Sequence, residues 1–126
     1  MDSILDHKVW QDIELVKMAA CEIPYPMLFD KNGNIGRLYD VYDTNSGKDV
    51  RGTFIIDHEG VIHASQILTS AVGRSPEEIL RLIKAYQRHV STKEAIPCSW
   101  TEGKKTIIPS IEKAGKVWQE WTPATS

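Results

Sequence analysis

Apolar and β-branched residues run without interruption from Thr53 to Ile56, and this run is followed by the turn-forming quartet Asp57-His58-Glu59-Gly60. Val61 to Gln66 then alternates, with Ile62 and Ala64 on one face and His63 and Ser65 on the other. The pattern predicts a hairpin whose first strand is buried on both faces and central to a sheet, with Arg51 at its entrance. Upstream, Leu5, Val9, Trp10, Ile13, Val16 and Met18 recur at helical spacing behind Ser3 and Asp6, a cap and its acidic partner. They predict a helix over 4–20. Pro24 and Pro26 hold the next segment extended, Met27-Leu28-Phe29 reads as a short strand, and Asp30-Lys31-Asn32-Gly33 reads as a turn.

Asn34 is placed to cap a short helix through Ile35, Leu38 and Tyr39, and Thr44-Asn45-Ser46-Gly47 reads as a polar loop. Ser75-Pro76-Glu77-Glu78 is a helix start with a cap, a proline at the first helical position and a capping-box glutamate. Ile79, Leu80, Leu82, Ile83, Tyr86 and Val90 then give a stripe to about His89. Beyond Ser91 the periodicity stops. Pro97, Gly103, Pro109 and Gly115 punctuate a tail that carries Trp100, Trp118 and Trp121, aromatics expected to pack on a core edge or another subunit.

Length and charge narrow the picture. A chain of 126 residues suits one domain, here 1–126, with a core over 1–90 and a tail over 91–126. Charged residues make up 25%, both signs are mixed, and the net charge is −2, which argues against nucleic acid as a partner. No apolar run is long enough to span a membrane, and Met1-Asp2-Ser3-Ile4-Leu5-Asp6 is not a secretory signal. Two cysteines, Cys21 and Cys98, are too few for a disulfide framework, so the expected setting is reducing and cytoplasmic. The four histidines show no metal-ligand spacing, and His63 reads as an outward strand residue. No cofactor motif is present.

Several stretches together resemble one family. Asp2-Ser3 with His7 and Trp10, Ile23 to Asp30, and Arg51-Gly52-Thr53-Phe54-Ile55-Ile56-Asp57 follow its motifs in order. So do Val72-Gly73-Arg74-Ser75 with Glu78 and Leu80-Arg81-Leu82, and Trp100-Thr101-Glu102-Gly103 with Thr106-Ile107 and Pro109. The chain resembles peroxiredoxins of the alkyl hydroperoxide reductase C / thiol-specific antioxidant family. The resemblance implies an α/β, partial thioredoxin-like fold: a mixed sheet, flanking helices and an extended C-terminal tail. It covers nearly all of this chain but about the C-terminal half of a family member. The family's peroxide-reducing cysteine motif, P-x-x-x-T-x-x-C, is absent, as an incomplete reading of a longer gene across a recoded or interrupted codon would leave it.

What the resemblance implies for function is thiol-dependent reduction of hydrogen peroxide and organic hydroperoxides, with a thioredoxin-type reductant and a homodimer or larger homo-oligomer. This chain is expected to be incomplete or inactive alone. The alternative is a non-catalytic assembly module that dimerises or complements an N-terminal fragment. Arg51 matches the family's active-site arginine, which lies near the reactive thiolate and holds the peroxide oxygens. Arg74 matches a second arginine near that site, or else pairs locally with a carboxylate such as Glu77. Cys98 lies where some members carry a resolving cysteine, two residues before Trp100 rather than the usual four, or else is a free surface thiol. Cys21 matches no family cysteine.

Overall fold

The structure is a computed structural model and describes residues 3–123, so Asp2 of the first motif lies outside the described residues. It divides into two compact units, Met1–Thr53 with Ser65–Val72, and Phe54–Ala64 with Gly73–Ser126.

The first unit opens with helix α1 (Ile4–Trp10), which continues through a π-helical segment (Gln11–Leu15) into α2 (Val16–Ala19) and stops at Ala20 in the left-handed region. Ser3 and Asp6 form the expected capping box: Ser3 Oγ accepts from the Asp6 amide at 3.2 Å, and the Asp6 carboxylate accepts from the Ser3 amide at 2.7 Å. The stripe does not become a core. Ser3, His7, Gln11 and Leu15, spaced by four, are the half-buried face, while Leu5, Val9, Trp10, Ile13, Val16 and Met18 are exposed.

Met27-Leu28-Phe29 is not a strand, because no described strand pairs with it. Helix α3 (Asn34–Leu38) is capped differently from expectation. Gly33, at φ +67°, occupies the cap position, and the Asp30 carboxylate accepts from the amides of Asn34 (3.1 Å) and Gly36 (2.9 Å). The polar loop at 44–47 instead joins a small antiparallel pair, β1 (Tyr42–Asp43) and β2 (Lys48–Asp49), with Tyr42 opposite Asp49. Val41 is the buried hydrophobe of this region, and the Arg37 guanidinium stacks 3.9 Å from the Tyr42 ring centre.

Strands β3 (Arg51–Ile56) and β4 (Ile62–Leu68) form the expected hairpin, which crosses from one unit into the other. Its turn closes with the Gly60 amide donating to the Asp57 carbonyl at 3.1 Å, with Gly60 at φ +83°. The expectation of burial on both faces fails. Thr53 to Ile55 are half-buried and Ile56 is exposed, and among the described residues this sheet holds β3 and β4 alone.

In the second unit, α4 (Pro76–Thr92) starts at Ser75, whose hydroxyl oxygen accepts from the Glu78 amide at 3.2 Å. The box is incomplete. Glu78 turns its carboxylate to Arg81, which grips it with Nε (2.7 Å) and Nη2 (2.8 Å). Arg81 Nη1 donates to the Trp100 carbonyl at 3.0 Å, pinning the tail to the helix. Ala85 is buried and Ile79, Leu82, Ile83 and Tyr86 are half-buried, whereas Leu80 and Val90 lie outside the packed face. The three tail tryptophans separate: Trp100 is 4% exposed and donates from its indole to the Lys104 carbonyl, Trp121 is half-buried, and Trp118 is 67% exposed. Two short 3-10 turns, Ile111–Lys113 and Val117–Gln119, carry the tail's end.

Candidate functional site

Arg51 is the first residue of β3. Two backbone bonds set its place: the Val50 amide donates to the Val41 carbonyl at 2.8 Å, and the Gly52 amide to the Val50 carbonyl at 2.9 Å. Its side chain is exposed and makes no hydrogen bond or ion pair among the described residues. Such a guanidinium retains all five donors for an anion or a peroxide oxygen.

Arg74 is exposed in the segment leading into α4 and is not without an interaction partner. Cys98 is an exposed, reduced thiol, as is Cys21. Cys98 lies at the rim of a concavity of about 450 Å³ that also includes Arg81, Leu82, Tyr86 and His89. Its polar neighbours are already used: Arg81 holds Glu78 and the Trp100 carbonyl, the Tyr86 hydroxyl donates to the His63 carbonyl, and His89 Nδ1 lies 2.7 Å from the Glu94 carbonyl oxygen. Arg51 belongs to the first unit, while Arg74 and Cys98 belong to the second.

The second unit also holds a polar cluster that the sequence pattern does not announce. The Asp57 carboxylate accepts from the amides of Glu59 and Val61 (both 2.9 Å), and its second oxygen lies 2.7 Å from His63 Nε2. The His63 ring lies 5.1 Å from that of Tyr86, whose hydroxyl donates to the His63 carbonyl at 2.7 Å. His63 is therefore half-buried and paired, not an outward strand residue. The Val61 amide first, then the His63 imidazole and the Glu59 amide, hold the Asp57 carboxyl below its ordinary range. A groove of about 690 Å³ runs beside the cluster, lined by Asp57, His63, Ile83, Tyr86, Val90 and Lys93 among others. The sequence does hold a signal. Val61 pairs with Asp57 across the turn, so His63, two residues on, sits diagonally from Asp57 on the same face.

Among the described residues no group of His, Cys, Asp or Glu is arranged to hold a metal ion, and no helix is long and apolar enough to cross a membrane.

Known structures of one class of protein, the thioredoxin-like peroxiredoxins, superpose on this chain. Reduced 2-Cys peroxiredoxin of Plasmodium vivax matches with a TM-score of 0.82 at 28% identity, over 95% of this chain and 61% of that one. Peroxiredoxin 6 of Arenicola marina matches with a TM-score of 0.78 at 25% identity, over 99% and 63%. The AhpC/TSA family profile matches residues 1–65, and that of the C-terminal domain of 1-Cys peroxiredoxin matches residues 85–122. The chain belongs to the AhpC/TSA family, the peroxiredoxins. Its relatives include the selenocysteine-containing peroxiredoxin PrxU of Peptoclostridium acidaminophilum, 45% identical over 97% of this chain and 61% of that protein. Alkyl hydroperoxide reductase C of Staphylococcus aureus is 38% identical over 92% and 60%. The chain thus spans about three fifths of the length of these relatives. The fold is the partial thioredoxin-like one, built here from small antiparallel sheets and flanking helices.

Proposed function

We propose that this chain supplies the arginine-bearing, C-terminal portion of a thiol-dependent peroxidase that reduces hydrogen peroxide and organic hydroperoxides. The observation that carries the reading is Arg51: it opens β3 in the family's motif and keeps its guanidinium donors uncommitted among the described residues. In the complete reaction a thiolate attacks the O–O bond, taking one oxygen as sulfenic acid while the other leaves, protonated, as water or alcohol. A second thiol condenses with the sulfenic acid to a disulfide and water, and a thioredoxin-type dithiol reduces that disulfide. In the family's motifs Arg51 is the arginine that holds the peroxide oxygens and stabilises the attacking anion, Arg74 matches a second arginine, and Cys98 is the candidate resolving thiol.

The chain itself has no P-x-x-x-T-x-x-C motif, so it does not turn over peroxide by this route alone. Because PrxU is described as containing selenocysteine, a selenolate is the natural counterpart of the attacking thiolate in a longer form of this protein. A reducing, cytoplasmic setting suits both chemistries. The test is peroxide consumption with a thioredoxin system, run on this chain and on a form extended upstream in the gene with selenium supplied. Activity confined to the extended form, with selenium or a cysteine in the restored motif, is expected; an extended form that consumes no peroxide overturns the reading.

A second reading is an assembly module. Its support is the set of large hydrophobic side chains left exposed, Leu5 at 75% and Leu28 at 78% among them, against Val41, Ala85 and Trp100 as the buried hydrophobic residues among those described. Sedimentation equilibrium tests it. A homodimer or larger species is expected, and a monomer at all concentrations overturns it.

A further inference from the structure

Asn32-Gly33 is the one asparagine–glycine pair in the chain, and the start of α3 is built on it. Asn32 is exposed at φ +80°, and Gly33 is buried at φ +67°. Position 33 admits only glycine, because a side chain there would collide with the Tyr42 ring and be strained by the positive φ. The turn is fastened from both ends. The Gly33 amide donates to the Asp30 carbonyl at 3.1 Å, and the Asp30 carboxylate accepts from the Asn34 and Gly36 amides. Arg37, stacked on Tyr42, donates to the Asn32 carbonyl and, at 3.1 Å, to the Gly33 carbonyl. All of these residues belong to the first unit. An asparagine followed by glycine is open to attack by the next backbone nitrogen, since glycine has no Cβ to crowd the approach. The Gly33 nitrogen bonds to Asn32 Cγ, the Cγ–Nδ2 bond breaks, and ammonia leaves with the amide proton. Water then opens the five-membered imide at either carbonyl. The product is aspartate or, where the chain now runs through the side-chain carbon, isoaspartate.

We propose that Asn32 is a self-modification site of this chain, and that the Asp30 cap sets its rate. In the folded turn the Gly33 nitrogen is unavailable: its hydrogen is held by the Asp30 carbonyl, and the residue is packed under the Tyr42 ring. Attack therefore waits for the turn to open. Helix α3 has five residues, too few to hold its first turn without the Asp30 bonds, so this opening is local and needs no unfolding of the rest. The other two asparagines are slower, because a Cβ follows each: Asn34 precedes the β-branched Ile35 inside α3, and Asn45 precedes Ser46. Isoaspartate at 32 adds a methylene to the backbone between Asp30 and Gly33. The Asp30–Gly33 bond and the hold of Arg37 on two adjacent carbonyls cannot then be kept together, so the modification releases the start of α3.

The test holds the purified full chain at neutral pH and follows replacement of the side-chain amide by hydroxyl, using mass spectrometry of tryptic peptides and isoaspartate-specific methyl transfer. In the native chain Asn32 should convert ahead of Asn34 and Asn45, and more slowly than in the same chain unfolded in urea. Asp30→Ala, which removes the acceptor of both cap bonds, should speed conversion of the native chain about fivefold. Asp30→Asn keeps one acceptor oxygen and should fall between the two. Asn32→Asp should release no ammonia while Asn34 and Asn45 stay intact, which assigns the event. Conversion of Asn45 first, or a native Asn32 still intact when the unfolded chain has converted fully, overturns the site. Equal rates in the native and unfolded chains, or Asp30 variants that convert at the wild-type rate, overturn the control by the cap.

Discussion

Two side chains carry most of the chemical content at the scale of single residues. Arg51 stands at the start of β3 with its guanidinium uncommitted among the described residues. A charge-assisted hydrogen bond to a reacting group contributes about 1.5–3 kcal/mol, so Arg51→Met in the upstream-extended protein should lower kcat/KM about 10- to 100-fold. The initial rate of peroxide loss measures this, and an unchanged rate would remove Arg51 from the site. Asp57 is the second. Its carboxyl is held below the ordinary range by the Val61 and Glu59 amides and by His63, so its contribution to stability is present in full above the unfolded value. That contribution is lost as pH falls through the lower, folded value. Wild type should therefore melt above Asp57→Asn at pH 6, and the gap should close as pH drops below about 4. A gap of the same size at both ends would mean that the carboxylate's charge is irrelevant.

At the scale of elements, caps and faces decide what each helix can do. Ser75 accepts from the Glu78 amide while Glu78 itself is drawn away to Arg81, so α4 keeps half of its capping box. Ser75→Ala should cost about 1 kcal/mol, read from the urea midpoint of the second unit's helix signal. The N-terminal helix shows the opposite arrangement. His7 Nδ1 and both amide atoms of Gln11 are buried without a hydrogen-bond partner, while Leu5, Val9 and Ile13 face outward. Replacing Gln11 by leucine, of similar volume, removes two unpaired polar atoms and should be neutral or stabilise the fold by about 1 kcal/mol. A loss of more than that in thermal melting would show that Gln11 finds partners in solution. The π-helical segment within this helix follows no local sequence signal; nothing among Gln11, Asp12, Ile13, Glu14 and Leu15 departs from ordinary helix-forming chemistry.

For the molecule as a whole, each unit depends on few buried residues. In the second, Trp100 is the large one, fixed by its own indole bond and by Arg81 on its carbonyl. Trp100→Ala should cost about 3–5 kcal/mol and release the tail, seen as new protease cuts after Lys104 and Lys105 with α4 still protected. Unchanged cutting would show that Glu94, which accepts from Thr106 at 2.5 Å, and the Ala95–Ile107 bridge hold the tail without it.

Local order and local chemistry account for what was legible in the amino acids alone. Helix starts at Ser3 and Ser75, the β3–β4 hairpin with its Asp57–Gly60 turn, the position of Arg51 at a strand's first residue and the peroxiredoxin motifs all follow from neighbours close in sequence. Burial did not. An apolar stripe states which face seeks cover, but only the packed chain shows whether anything covers it, and so Leu5, Val9 and Ile13 came out exposed while His7 and Gln11 turned inward. The same holds for His63. Its alternation in β4 marked it as outward, and the diagonal reach of Asp57 together with the ring of Tyr86, 23 residues further on, drew it in. Hydrophobic periodicity is a property of one segment, whereas burial depends on at least two, and the second partner of a face is chosen only when the chain folds.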